Sequence, residues 1–407
     1  MIKKPELLAP AGDLERLKYA IHYGADAVYI GGPILGLRAN AINFSFEDIK
    51  EGVEFAHRYH KKVYVTVNIV LHNKEIDFVI EYLKKLEECQ IDAIIVSDLT
   101  IIEFAKKYTN LEIHLSTQAS IMNVEACKFY KQLGVTRIVL ARELSKEEIQ
   151  KIIQEVDIEI ECFIHGAMCS SISGRCVLSN FLTNRDSNRG GCSQICRWDF
   201  KLLDENRKQI EGEKDFTLCA KDLSLLAYIK DMMDIGITSF KIEGRMRSIY
   251  YIATIVGVYR KVIDGYWDNP KYQYNPAYEK ILRNCANRDA VGQFFNHKND
   301  VSCQYYNGRE EISNQDFLGI VLDYDPITQL ATIEQRNYFK EQDQVEIFGP
   351  NTEVVPLKLK EIYDENQNRL KVVCHPREIV QIKIESKVEP YDLIRIKKFW
   401  VDKQKKS

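Results

Sequence analysis

Short apolar segments alternate with amphipathic segments through the first 265 residues, and this alternation limits the possible folds more than any other feature. Eight apolar segments have the composition of strands buried on both faces: Glu6–Pro10, Asp26–Gly31, Val63–Val70, Ala93–Ser97, Ile113–Gln118, Arg137–Ala141, Ile160–His165 and Ser239–Glu243. Eight parallel strands separated by helices close a barrel, so we predict an α/β fold with a TIM-like (β/α)8 barrel over residues 1–268. A doubly wound open sheet is the alternative, which the lack of a G-x-G-x-x-G turn after the first strand disfavours.

The connection after the seventh strand is much longer than the others. More than fifty residues separate His165 from the next predicted helix, Lys221–Gly236. Long connections that follow barrel strands are usually functional. We therefore predict a functional insertion over about residues 166–220.

The hydrophobic period changes to two near Phe317. Seven strand candidates follow, separated by turn residues: Phe317–Tyr324, Leu330–Gln335, Gln344–Phe348, Val354–Ile362, Leu370–Val373, Ile379–Ile384 and Leu393–Lys397. They predict a small all-β barrel domain over residues 314–407. Residues 269–313 follow neither period and are predicted to be a connector. The basic end, Lys397–Lys406, is either a solvated tail or an RNA-facing segment.

Composition narrows the function classes. The formal net charge of −3 gives no global basic field, so any contact with RNA must come from a local patch. The chain starts without the apolar run of a signal peptide, and no segment reaches ~20 apolar residues. We therefore predict a cytoplasmic protein with no membrane partner. The odd number of cysteines, eleven, indicates reduced thiols rather than a disulfide framework.

Four cysteines within 28 residues carry the most specific chemistry. Cys169, Cys176, Cys192 and Cys196 are spaced C-x6-C-x15-C-x3-C among glycines and arginines. Glycine lets the backbone fold around a metal, and cations stabilise thiolates. We predict that all four bind metal; buried structural thiols are the alternative. The spacing leaves zinc and an iron–sulfur cluster both open. Cys219, on the same connection, could replace Cys196.

The region resembles peptidase family U32, the collagenase-like peptidases. The family pattern E-x-F-x-x-G-[SA]-x-C-x4-G-x-C-x-x-S is matched by Glu161, Phe163, Gly166, Ala167, Cys169, Gly174, Cys176 and Ser179. Family-like runs also occur at residues 5–13, 24–32, 114–119, 140–145 and 239–248. The resemblance covers essentially the whole chain. It implies a TIM-like barrel, a β-barrel C-terminal domain and a 4Fe-4S cluster on the four cysteines.

The same resemblance implies a function. Members with this four-cysteine arrangement, closed by GGCSQICRW, are implicated in forming 5-hydroxyuridine at the wobble position of tRNA, which implies prephenate as co-substrate. The wobble uridine lies in a single-stranded loop, where a base can leave the stack. The C-terminal domain and its basic tail could grip the anticodon arm through phosphates. A family paralogue is a further candidate partner.

Polar residues at the strand ends provide a site for this chemistry, since the C-terminal ends of barrel strands face the active site. The candidate catalytic residues are Arg142, His165 and Glu243, and the candidate substrate-binding residues are Arg38, Asn68, Gln118, Lys241 and Arg245. Cations around one mouth suit a small dicarboxylate such as prephenate. The alternative for each cation is a rim salt bridge, and for His165 it is an orienting hydrogen bond.

Two other functions remain open at this point. A peptidase needs a nucleophile with a base or an open catalytic metal, and the sequence has neither G-x-S-x-G nor H-E-x-x-H. A non-catalytic, metal-stabilised RNA-binding module is the third hypothesis. The polar residues at the barrel mouth disfavour the last of these.

Overall fold

The computed structural model describes residues 3–37, 43–210, 215–286, 288–305 and 317–396. Arg38 and the basic end Lys397–Lys406 therefore lie outside the described residues. The chain divides into two compact units. The first comprises Met1–Arg283 and Arg288–Glu311, and the second comprises Ile312–Ser407 with the short segment Asn284–Asn287.

A closed barrel forms the centre of the first unit. Its described strands are β1 (Glu6–Pro10), β2 (Ala27–Gly31), β3 (Lys62–Val67), β4 (Ala93–Val96), β5 (Glu112–Leu115), β6 (Arg137–Val139), β7 (Glu159–Gly166), β8 (Asp222–Ser224), β9 (Ser239–Ile242) and β10 (Ala290–Val291). Strands β1 to β7 pair in parallel and in chain order, and β9 pairs in parallel with both β7 and β1. These eight strands close the ring, so the predicted TIM-like barrel is confirmed.

Two short strands extend the sheet beyond the ring. Strand β8 pairs antiparallel with the end of β7, and β10 pairs parallel with β8. The helix predicted over Lys221–Gly236 is therefore wrong in its first half, because Asp222–Ser224 pairs with other strands. The predicted connector contains β10, which a long-range pairing creates without any local hydrophobic period.

The helices surround the barrel and begin at polar capping residues. They are α1 (Leu14–His22), α2 (Phe46–Arg58), α3 (Asn73–Glu88), α4 (Leu99–Tyr108), α5 (Val124–Gln132), α6 (Lys146–Glu155), α7 (Leu178–Thr183), α8 (Ile229–Asp234), α9 (Ile249–Asp268) and α10 (Ala277–Cys285). Ser45 and Ser145 start α2 and α6 with capping boxes, which satisfy backbone N–H groups that have no partner inside a helix. None of the described helices has the length and apolar character needed to cross a membrane.

Alternation along the strands places every second side chain inside the barrel. A buried apolar cluster occupies this interior: Leu8, Ala27, Tyr29, Tyr64, Ala93 and Ile95. Leu8 is in register with Ala27 on β2 and with Lys241 on β9, so the cluster adjoins charged residues of the last strand. The interior therefore combines an apolar part with a polar part.

The second unit is an antiparallel β domain. Its described strands are β11 (Phe317–Asp325), β12 (Leu330–Gln335), β13 (Phe339–Lys340), β14 (Gln344–Phe348), β15 (Val355–Lys358), β16 (Ile362–Asp364), β17 (Arg369–Leu370), β18 (Val372–Val373), β19 (Ile379–Lys383) and β20 (Leu393–Ile396). Eight of them pair in the order β15-β14-β20-β11-β12-β19-β16-β17, while β13 pairs with β18. Val321, Ile333, Val345 and Ile382 are among its fully buried core residues. The predicted all-β C-terminal domain is confirmed.

Candidate active site at the barrel mouth

A cavity of about 540 Å³, part of it open to solvent, lies at the C-terminal ends of the barrel strands. Its lining residues are Tyr29, Leu37, Thr66, Asn68, Ile95, Ser116, Thr117, Gln118, Val139, Arg142, Phe163, Lys241, Glu243 and Arg245. The structure thus brings six of the predicted site residues into one cavity: Asn68, Gln118, Arg142, Lys241, Glu243 and Arg245. They meet because the C-terminal ends of parallel strands share one edge of the barrel.

Two arginines lie on opposite walls of the cavity. The guanidinium of Arg245 donates to Thr66 Oγ1 at 2.8 Å on β3 and lies against Gly31 at the end of β2. Arg142 lies over the ring of Phe163 on β7, 3.9 Å from its centroid, and donates to a main-chain carbonyl just beyond that strand. Strands β2 and β3 face β6 and β7 across an eight-stranded ring. The two guanidinium groups therefore contact opposite sides of the barrel ring.

A lysine and a buried carboxylate form the floor. Lys241 Nζ lies 4.5 Å from the ring centroid of Tyr29 and 5.5 Å from that of Phe163, and donates to Glu161 Oε1 at 2.7 Å. Glu161 is fully buried and also accepts from Arg137 Nη1 at 3.3 Å. Burial alone would raise the pKa of Glu161, but the two cations outweigh it and hold that pKa below its usual value. The buried carboxylate of Glu161 therefore neutralises the charge of Lys241.

His165 does not line the cavity. Its side chain is 2% exposed, and its Nδ1 lies 3.3 Å from the hydroxyl of Tyr259. The pairing of β7 with β9 shifts register between Phe163 and His165, so the alternation that points Phe163 into the cavity is broken. Burial, with the nearby charge of Arg247, lowers the pKa of His165 to about 3. The imidazole is therefore neutral at physiological pH and apart from the six cavity residues.

The insertion that follows β7 is attached to the loops of the barrel mouth. Arg189 Nη2 forms an ion pair with Glu75 at 2.7 Å, next to the loop after β3. Ser120 Oγ donates to the carbonyl of Ser173 at 2.5 Å. Gly174 has a φ of +80°, and a Cβ there would lie 2.1 Å from the carbonyl oxygen of Gln118. Only glycine allows this approach, which seats the insertion beside a cavity residue.

The four predicted ligand cysteines lie on this insertion and are accessible to different degrees. Cys169 and Cys192 are exposed, whereas Cys176 and Cys196 are half-buried. Cys176 precedes α7, and Cys196 lies in a 3-10 turn, Ile195–Arg197, that packs against α7. Burial raises the pKa of Cys196, and the nearby sulfur of Cys169 raises it further.

The arrangement of the four thiols can be compared with what each kind of metal centre requires. Among the described residues, no three His, Cys, Asp or Glu side chains are grouped so that they could hold a single ion. A single zinc ion requires all its ligands around one point, whereas each cysteine of a four-iron cluster binds a different iron atom. The sulfur donors and permissive glycines match the chemistry of a cluster. Cys219, the alternative ligand, is buried and donates to its neighbour's carbonyl at 3.5 Å.

Sequence analysis missed several residues of the site. Tyr29, Thr66 and Phe163 line the cavity, and Glu161 neutralises its floor. A signal exists for Thr66, which lies at an inward position two residues before the predicted Asn68. Extending the period-two pattern one step back along β3 would have found Thr66, whereas Tyr29 has no predicted site residue two positions away on its strand.

Comparison with known proteins identifies the family. The model of Peptidase family U32 matches residues 12–304, and that of the Peptidase family U32 C-terminal domain matches residues 313–395. The chain is 50% identical over 400 residues to tRNA hydroxylation protein P1 of Bacillus subtilis, covering 97% of this chain and 95% of that protein.

More distant relatives have different names. The chain is 44% identical over 260 residues to the 23S rRNA 5-hydroxycytidine C2501 synthase of Escherichia coli, covering 64% of this chain and 39% of the relative. It is 32% identical over 403 residues to a collagenase of Porphyromonas gingivalis, covering 95% of this chain and 96% of the relative. With a family model matched over most of its length, the chain belongs to peptidase family U32.

Proposed function

We propose that this chain is a cytoplasmic iron–sulfur enzyme that hydroxylates tRNA, forming 5-hydroxyuridine at the wobble position with prephenate as co-substrate. The observation that carries the proposal is the 50% identity, over nearly all of both chains, to a protein named for tRNA hydroxylation. The relative named as an rRNA 5-hydroxycytidine synthase supports hydroxylation of an RNA base as the shared reaction.

The two arginines of the cavity support a dicarboxylate ligand. Arg142 and Arg245 both line the cavity, and a guanidinium edge from each could bind one carboxylate. The rings of Tyr29 and Phe163 line the space between them and suit the apolar ring of prephenate. Each charge-assisted hydrogen bond contributes about 1.5–3 kcal/mol, so bonds from both arginines would contribute substantially to the free energy of binding.

The remaining polar groups suit a uracil base. An uracil edge offers both a donor and acceptors, and the amides of Asn68 and Gln118 can meet both kinds of group. Hydroxylation at C5 requires the hydrogen on that carbon to leave, and a carboxylate in the cavity can accept it as a proton. Glu243 is placed in the cavity to hold that proton.

The cysteines of the insertion would hold the cofactor. Cys169, Cys176, Cys192 and Cys196 are the proposed ligands, and a bound 4Fe-4S cluster would supply one-electron transfer. The ion pair of Arg189 with Glu75 and the glycine contact at Gln118 fix the insertion beside the cavity. These contacts keep the proposed ligand loop next to the proposed substrate site.

Peptide hydrolysis is the second candidate, since a relative is named collagenase. The cavity offers little for it. Among its described lining residues there is neither His nor Cys, and Glu243 is the one carboxylate. Ser116 Oγ accepts a hydrogen bond from Asn68 rather than lying beside an imidazole. A serine peptidase needs a base next to its nucleophile, so the cavity favours the hydroxylase.

The decisive assay uses anaerobically purified protein with tRNA that lacks wobble hydroxylation. We expect 5-hydroxyuridine only when prephenate is present, and a strongly reduced yield with Glu243→Gln. A collagen-derived peptide in a parallel reaction should remain intact. Peptide cleavage that is lost in the Glu243→Gln variant, together with unmodified tRNA, would overturn the proposal in favour of a peptidase.

A further inference from the structure

Helix α7 in the insertion buries a polar side chain and exposes apolar ones, the reverse of the usual pattern. Its buried residue is the polar Ser179, 1% exposed, whose hydroxyl accepts from the backbone N–H of Ser193 at 3.0 Å. The apolar Phe181 and Leu182 point to solvent, 84% and 56% exposed. Phe181 is the most exposed aromatic side chain in the part of the chain that the structure describes. Apolar side chains displayed in this way usually mark a binding surface.

A second exposed aromatic residue lies on the neighbouring element. Trp198 is 48% exposed and directly follows the 3-10 turn, Ile195–Arg197, that packs against α7. Both exposed aromatic residues therefore lie on, or next to, elements of the insertion that pack together. We call this surface, formed by Phe181, Leu182 and Trp198, the aromatic platform.

The charge around the aromatic platform is positive, although the whole chain is net negative. Residues 166–199 contain two carboxylates, Asp186 and Asp199, and four arginines: Arg175, Arg185, Arg189 and Arg197. Arg175 and Arg185 are exposed, while Arg189 is occupied by Glu75. A polyanion with unstacked aromatic groups matches such a surface. A second copy of this chain would bring the same positive charge and be repelled.

One exposed arginine of the insertion also lies close to the cavity. Arg175 Nε donates to Ser120 Oγ at 3.1 Å, and Ser120 lies two residues beyond Gln118, which lines the cavity. An RNA loop that inserts one base into the cavity would place its neighbouring nucleotides on this part of the insertion.

We propose that Phe181 and Trp198 stack against unpaired bases next to the modified nucleotide, while Arg175 and Arg185 contact the adjoining phosphates. This inference rests on the proposed function and names the surface by which the enzyme holds single-stranded RNA. The chemistry requires exposed base faces, so the platform discriminates a loop from a duplex.

The test measures binding of the full-length protein to a fluorescent anticodon stem–loop and to a duplex of the same stem. Phe181→Ala should weaken binding of the stem–loop about 5- to 150-fold and leave the weak binding of the duplex unchanged. Arg185→Ala should reduce the salt slope of log K by about 0.7. Phe129→Ala on α5, which removes a half-exposed ring, is the matched control.

Trp198→Phe should keep most of the affinity and Trp198→Ala should lose it, which separates stacking from damage to the nearby cysteines. Light scattering on each variant measures oligomeric state. If wild-type protein modifies tRNA while Phe181→Ala and Trp198→Ala bind the loop normally, the proposed stacking of bases on the platform is refuted and the proposed function stands. If Phe181→Ala instead splits a dimer or a paralogue complex without changing RNA affinity, the surface binds protein and the inference is overturned. Wild-type protein that neither binds nor modifies tRNA refutes the proposed function itself.

Discussion

The ion network beneath the cavity should be essential for the stability of the barrel. Glu161 is fully buried, and its two carboxylate oxygens accept from Lys241 at 2.7 Å and Arg137 at 3.3 Å. Replacing Glu161 by Gln removes the negative charge and leaves Lys241 buried without its counter-charge. Arg137 keeps its ion pair with Glu6 at 2.6 Å, so most of the loss falls on Lys241.

The expected loss of stability is large for a substitution as small as Glu161→Gln. Removing one partner of a buried ion pair costs about 3–5 kcal/mol. For a barrel of this size that corresponds to a melting temperature lower by roughly 6–20 °C. The folded pKa of Glu161 is held below its unfolded value, so its contribution is present at neutral pH and is lost as the pH falls through the folded value.

Urea unfolding followed by circular dichroism measures the loss directly. Glu161→Gln should shift the barrel transition to lower urea, and the double change with Lys241→Gln should recover part of the shift. Glu125→Gln is the control, because it removes an ion pair of similar length, 2.7 Å to Lys128, from an exposed helix surface. A Glu161→Gln protein that unfolds together with wild type would refute the idea that this network supports the cavity floor.

Three further predictions concern the site and its surroundings. Arg245→Lys should weaken prephenate binding by roughly 10- to 100-fold in calorimetry, because it replaces a two-pronged donor by a point charge; unchanged affinity would remove Arg245 from the clamp. Because burial lowers the pKa of His165 to about 3, the unfolded state takes up a proton that the native state excludes, so wild-type stability should fall as the pH drops from about 6.5 towards 4. His165→Asn should flatten this fall in urea titrations at each pH, and parallel curves would contradict the buried neutral state. Cys192→Ser should remove the brown absorption of anaerobically purified protein near ~400 nm, whereas Cys374→Ser, an exposed thiol of the β domain, should keep it; colour retained in both would reject Cys192 as a ligand.

The barrel could be predicted from sequence because burial on both faces leaves a strong local signal. Segments such as Ala93–Val96 are apolar throughout, and helix caps such as Ser45 mark the intervening helices. The predicted strands ran too long where polar residues follow them. Asn68 and Gln118 were placed in strands by their apolar neighbours, but both lie beyond the strand ends.

Six of the cavity residues were predictable because their position at or after the end of a strand fixes which edge of the barrel they occupy. The distances between these side chains and the pairing of the strands could not be predicted. The shift of register that separates His165 from Phe163 arises from pairing between β7 and β9 and has no local signature. Strand β8 likewise forms from a short polar sequence through contacts with residues distant in the chain. The ion pair between Lys241 and Glu161 joins two strands, and the two residues lie 80 positions apart in the chain.

Mass spectrometry of tRNA nucleosides tests the central claim most directly. The gene for this chain is expressed in a strain that lacks every family member and every oxygen-dependent enzyme of wobble hydroxylation. Wild-type protein should restore 5-hydroxyuridine in tRNA, while Glu243→Gln and Cys192→Ser should not. Absence of 5-hydroxyuridine in cells that contain folded wild-type protein and prephenate would contradict the account.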